Sequence, residues 1–213
     1  MTVRRSVRLA VLAAAVTTFG CAPQPAPLQP PSPADSSRNL PPAGYGTLHQ
    51  EDVALKLATE TVQLRVLPLD EQVTRLLSPD SYESLRRLTT SRAPEVDSAA
   101  ARAGVHRATL FLVTFFGVAP RATFSPDDVT ISSQNRFFRP AAILPLSPLW
   151  SELRLNQRET ASAIYLFEDG INLAGPLSLE HGGASSNEWD ATRRTLERER
   201  ARVYSRARAA PPQ

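Results

Sequence analysis

Two short runs decide what this chain can become. Residues 110–113 with Phe115 and Phe116, and residues 164–167, are apolar at consecutive positions and rich in aromatic and branched side chains. A strand sends successive side chains to opposite faces, so a strand that is apolar on both faces has to be covered on both. The chain therefore needs central strands with a layer on either side, which excludes a coiled coil or a wholly disordered polymer. Its 213 residues, 42% hydrophobic and 21% charged, suit about one globular domain.

Around these runs the period-two pattern recurs. Val62, Leu64 and Val66 alternate with Gln63 and Arg65. Half-buried strands are predicted at 129–132, 137–144 and 149–155, the last from Leu149, Leu153 and Leu155 alternating with Trp150, Glu152 and Arg154. Turn signals separate them at Ser125-Pro126-Asp127, Ser133-Gln134-Asn135, Asn156-Gln157 and Asp169-Gly170, and a final strand at 177–181 stops at Gly182-Gly183. Between 70 and 91 the period changes. Val73, Leu76 and Leu77 share one helical face, and Ser78-Pro79 restarts a helix that carries Tyr82, Leu85 and Leu88. This predicts a short helical pair, followed by a small, polar connector over 91–104. At the other end a helix is predicted over 186–207, with Ser185 and Glu188 as a capping box and Trp189, Leu196 and Val203 recurring every seven residues; Trp189 and Leu196 are expected to dock it while its Arg-rich end projects. The expected fold is mainly β: an antiparallel sandwich over 47–183 with an inserted helical pair, then a C-terminal α-helix and tail over 184–213.

The first twenty residues have a basic start (Arg4, Arg5, Arg8), then an apolar run, then small residues, the pattern of a secretory signal peptide. The apolar stretch, about 12 residues, is short of the ~20 a membrane-spanning helix needs. The leader ends Thr18-Phe19-Gly20-Cys21 and resembles the lipobox of bacterial lipoproteins, with Gly20 and Cys21 matching the pattern. That resemblance implies export and lipidation of Cys21. Ala22, standing where an Asp would retain the protein, implies an outer-membrane location facing the periplasm. Residues 22–43 hold eight of the chain's nineteen prolines together with Gln, Ala and Ser, the composition of a semi-rigid tether. In polyproline geometry it would span ~60 Å at ~3.1 Å per residue. Cys21 is also the only cysteine, so no internal disulfide, thiol nucleophile or zinc thiolate is available, and stability has to come from a core.

The globular part, 106–183, resembles the immunoglobulin-like sandwich domains of secreted bacterial lipoproteins: a long apolar strand, the Phe124 to Pro126 turn, Leu153 and Leu155 before Glu159, then an aromatic strand ending Phe167-Glu168. The resemblance implies a binding or scaffold module more than an enzyme.

Charge argues the same way. Arg4, Arg5 and Arg8 account for the whole formal charge of +3, leaving the rest of the chain balanced, so an exported nucleic-acid binder is not expected. The residues after 187 carry seven arginines and four acids, which suits a solvated face or a contact with anionic head groups or an acidic partner. His181-Gly182-Gly183 resembles the oxyanion loop of lipases, but no Gly-x-Ser-x-Gly elbow follows, so the glycines read as a strand terminator. His49, His106 and His181 are scattered, and Asp127-Asp128 and Glu168-Asp169 read as turn acids rather than a calcium loop. No cofactor and no metal site are expected.

Arg136-Phe137-Phe138-Arg139-Pro140 has the composition of an interface hot spot, with one phenylalanine sent outward beside two arginines. The candidate interaction residues are Arg136, Phe138, Arg139, Trp150, Arg194 and Arg198. The expected function is that of a lipid-anchored, non-enzymatic envelope protein that binds another envelope protein. A carrier of a small apolar ligand is the alternative, and a hydrolase with an unfamiliar site the third.

Overall fold

The computed structural model describes residues 40–210; the leader, Cys21 and most of the proline-rich segment lie outside them. Among the described residues are eleven strands, all paired antiparallel, and four α-helices. A five-stranded sheet has the order β1 (Leu55–Ala58), β2 (Val62–Pro68), β3 (Ala108–Gly117), β9 (Thr160–Glu168), β7 (Ala142–Pro145). A four-stranded sheet has the order β11 (Ala184–Ser186), β10 (Leu177–His181), β5 (Thr130–Ser133), β6 (Arg136–Phe138), and β4 (Ala122–Thr123) pairs with β8 (Arg154–Leu155).

The two doubly apolar runs are the central strands β3 and β9. Their register sets Phe111 opposite Tyr165, Val113 opposite Ala163 and Phe115 opposite Ala161, all facing the four-stranded sheet. A ring chain fills the space between the sheets: Phe111 meets Phe167 at 5.5 Å, Phe167 meets Tyr165 at 6.2 Å, Tyr165 meets Trp150 at 6.0 Å, and Trp150 meets Phe124 at 5.4 Å. Phe115 stacks on Phe124 at 4.5 Å and touches His181 at 5.3 Å. The buried Tyr165 hydroxyl donates to the Pro126 carbonyl at 2.9 Å, which satisfies that polar atom within the layer.

The opposite face of the large sheet is divided. Leu110, Ile164, Leu166, Ala142 and Leu144 pack under Leu88, Val96 and Ala99 of the long helix α3 (Pro79–Ala103). The expected helical pair is present, as a short α2 (Glu71–Thr74) and then α3, which starts at Pro79 after Ser78; the expected connector is not, because α3 runs on through Pro94 to a left-handed cap at Gly104 (φ 70°). Burial of Val96 and Ala99 on the sheet outweighs the polar composition of 91–104 and the backbone donor that Pro94 lacks. The other half of that face, over β1 and β2, is polar. Lys56 and Arg65, paired directly across the strands, would repel each other. Glu51 of α1 (Gln50–Val53) binds both, with Lys56 at 3.4 Å.

Three other expectations differ in detail. The predicted strand over 137–144 is two strands in different sheets, since the chain crosses over at residues 139–141. Residues 149–155 form a 3-10 turn, Pro148–Glu152, and only the two-residue β8. Leu153 sits there at φ 51°, so Trp150 points into the core. The C-terminal helix α4 starts at Trp189 and ends at Ala209; Ser185 and Ser186 belong to β11, behind a tight Gly182-Gly183 turn with φ of 56° and 77°.

Trp189 and Leu196 dock α4 as expected, while Val203 and Glu199, the latter 1% exposed, are buried as well, so the helix stays packed beyond the point where its Arg-rich end is expected to project. One carboxylate oxygen of Glu199 accepts from the Thr47 amide (3.0 Å), the Thr47 hydroxyl (2.9 Å) and Arg206 (2.7 Å), and Arg206 also donates to the Tyr45 carbonyl at 2.7 Å. Arg202 lies 3.9 Å from the other oxygen. The segment at 45–48 is thus held between α4 and residues 76–78, where Gly46 lies so close to the Leu76 carbonyl that an added Cβ would sit 2.3 Å from it.

Two predictions follow from this packing. Phe115→Ala is expected to lose about 3–5 kcal/mol in urea denaturation, since it removes the ring shared by Phe124, Trp150 and His181. Burial disfavours the Glu199 charge, but the hydrogen bonds from Arg206 and Thr47 outweigh it and hold the carboxyl below its ordinary value of 4.5. The unfolded chain takes up that proton first, so the stabilisation is complete above 4.5 and is lost as pH falls below it. Glu199→Gln should cost about 1–3 kcal/mol at neutral pH and speed amide exchange at Thr47 and Leu48.

Candidate functional site

The Gln134-Asn135 turn, with φ of 50° and 60°, closes a two-residue hairpin between β5 and β6. That length sets Ser133 opposite Arg136, Ser132 opposite Phe137 and Ile131 opposite Phe138. Ile131 faces the core, and so does Phe138, which is 4% exposed. The residue thrown outward is Phe137, at 70% exposure the most exposed of the large apolar side chains described. Arg136 lies over the Phe138 ring at 4.9 Å and against Gly170, while Arg139 is exposed at the strand's end. The strand β6 is an edge of the four-stranded sheet, so its outer backbone groups carry no ladder partner.

The arrangement corrects two of the expected interaction residues. Phe138 supports this edge from beneath and Trp150 belongs to the ring chain, so neither is a surface contact. The outward aromatic is Phe137 instead. Arg194 and Arg198 are exposed on the outer ridge of α4, where the Arg198 guanidinium donates to the Arg194 carbonyl and the Thr195 hydroxyl. They lie on a different element from the β6 edge and are not part of one patch with it by any described contact.

A second feature sits at the end of the sheets around the Gly182-Gly183 turn. A cleft of about 520 Å³ is lined by His181, Asp128, Glu60, Ser125, Thr59 and Thr61, among others. The Gly182 amide donates to Asp128 at 2.9 Å, so the acid fastens the turn. His181 is 6% exposed against Phe115, and its Nδ1 has no hydrogen-bond partner among the described residues. His181 meets Asp128 through a hydrogen bond to the Asp128 backbone, and no described hydrogen bond joins its ring to a Ser or Thr hydroxyl, so a nucleophile–base pair is not assembled there. No group of three or more metal-ligating side chains occurs among the described residues, and no described helix is long and apolar enough to cross a membrane.

Compared with known proteins, the chain matches no family model, no curated protein and no solved structure. Geometry and chemistry alone carry the functional reading.

Burial lowers the His181 pKa below its ordinary 6.5, against the opposing pull of Asp128. The unfolded chain therefore protonates first as pH falls, and the stability held above 6.5 declines below it until the folded His181 also takes a proton. The melting temperature is expected to fall between neutral pH and about pH 5, and His181→Phe should flatten that part of the profile while preserving contact with Phe115.

Proposed function

We propose that this chain is a lipid-anchored, non-enzymatic protein of the cell envelope, exported and held at the outer membrane through Cys21. Its folded part, an immunoglobulin-like sandwich in this reading, docks another envelope protein. The observation that carries the proposal is the β6 edge, with Phe137 70% exposed between Arg136 and Arg139 on a strand whose outer side is unpaired. An aromatic flanked by arginines is the composition in which interface energy concentrates. The partner this edge suits offers an apolar seat rimmed by carboxylates.

The geometry favours docking over carriage of an apolar ligand. The interlayer space, where such a ligand would lie, is occupied by Phe111, Phe115, Phe124, Trp150, Tyr165 and Phe167, all below a tenth exposed. The leader pattern ending at Cys21 and the proline-rich segment after it support an anchored position.

Cross-linking in the native host tests the proposal. Wild type is expected to capture one partner reproducibly, and Phe137→Ser with Arg139→Glu should weaken that capture roughly 30-fold, equivalent to ~2 kcal/mol. Both positions are exposed, so the melting temperature should stay unchanged. Equal capture by the double variant would overturn the docking edge, and recovery of the Cys21→Ala chain in the membrane fraction would overturn the anchor.

A further inference from the structure

Independently of that reading, we propose that a cleft between α4 and the loop at 169–174 binds a short zwitterionic peptide, with its carboxylate on Arg200 and its ammonium on Asp70 and Asp169. The cleft has a volume of about 370 Å³ and adjoins a depression of about 670 Å³ with which it shares Asp70, Gln72, Thr109 and Asp169. Four separate elements build its wall: the start of α2, the start of β3, the loop after β9 and one face of α4.

The argument rests on which charges remain once internal pairs are removed. Arg193 is paired, at 2.8 Å to Glu197 and 3.8 Å to Asp190, although its Nε, like that of Arg200, is buried without a hydrogen-bond partner. Arg200 forms no ion pair within 4 Å among the described residues, and its charge acts on Asp70 only across the cleft. Its Nη2 reaches only the Gln72 carbonyl at 3.5 Å, and its Nε is buried without a hydrogen-bond partner. On the acidic side, one oxygen of Asp70 accepts the Gln72 amide at 2.7 Å, while its other oxygen and the Asp169 carboxylate accept no hydrogen bond among the described residues. A guanidinium with a buried, unused donor and two carboxylates with free oxygens thus face one cleft.

Chemistry narrows the occupant. A phosphate dianion would meet Asp70 and Asp169, and a bare divalent cation would meet Arg200 and Arg193. A ligand bearing one charge of each sign satisfies both sets, with the guanidinium fork taking a carboxylate through two N–H donors. Leu173 and Leu196 offer an apolar wall for a small side chain, and the joined volumes accommodate more than a single amino acid.

Calorimetric titration of the full-length chain tests this with alanyl-alanine, its N-acetyl form, its C-terminal amide, inorganic phosphate and calcium. Alanyl-alanine is expected to bind saturably, with the blocked forms weakened at least about tenfold, or ~1.4 kcal/mol. Arg200→Gln should abolish binding, Arg200→Lys should restore part of it, and Asp169→Asn, in an exposed turn, should weaken it without changing the melting temperature. Absence of saturable binding at millimolar peptide, equal binding of the blocked peptides, or binding of phosphate or calcium in place of the peptide would each overturn the proposal. Should Arg200→Gln fail to fold, Asp169→Asn and the blocked peptides decide the matter.

Discussion

With no disulfide available, the two sheets are held together by a core in which the ring chain from Phe111 through Phe167, Tyr165, Trp150 and Phe124 to Phe115 packs with Ile131, Phe138, Leu177 and Leu179 of the four-stranded sheet and meets its His181. Each ring removes a large apolar area from water, at roughly 25 cal/mol per Å², and edge or offset contacts add a directional share. The rings come from β3, β9, the 3-10 turn after β7 and the strand-to-turn segment at Phe124. Elements far apart in sequence are therefore brought to one place. Part of the polar cost is offset, because the Tyr165 hydroxyl reaches the Pro126 carbonyl, while the His181 Nδ1 is left buried without a partner and burial disfavours charging that ring.

The second constraint is the double-sided character of β3 and β9. Once their inner residues are committed to the rings, Leu110, Ile164 and Leu166 have to find cover outside, and α3 supplies it. Where the outer residues are polar, at Gln63 and Arg65, the long helix is not needed: Glu51 of α1 bridges the two cations, and the buried Thr114 hydroxyl pairs with that of Ser162 at 3.0 Å. The alternation of β1 and β2 thus decides how far across the sheet the helical layer extends.

Much of this was legible in the sequence. The central strands follow from their doubly apolar runs, β2 and β10 from short strand patterns bounded by turn signals, and the docking of α4 through Trp189 and Leu196 from their seven-residue spacing. What misled was local composition: residues 91–104 look like a connector, yet Val96 and Ala99 are buried on a sheet face that only tertiary structure supplies. Leu149, Leu153 and Leu155 alternate as a strand would, but the Leu153 backbone turns left-handed and breaks the count. Phe137 could have been found. Pairing through the two-residue Gln134-Asn135 turn sets Ile131 opposite Phe138, and an inward isoleucine then fixes which phenylalanine is exposed. The cleft at Arg200 was hidden, because its charges converge from segments more than a hundred residues apart and no spacing rule joins Asp70 to α4.

The docking edge and the Arg200 cleft share one structural support. The loop at 169–174 presents Gly170 to Arg136, bonds Ser133 through the Asn172 amide at 3.0 Å, and offers the Leu173 carbonyl to the Trp189 indole at 3.2 Å. It is thus pinned to the β5–β6 hairpin on one side and to the first turn of α4 on the other, while its own Asp169 remains at the surface. A loop held at both ends by buried or half-buried partners cannot shift one wall without straining the other. The placement of Asp169 in the cleft and that of Arg136 on the edge therefore both depend on Trp189, a side chain with no solvent exposure, which fixes α4 against the loop.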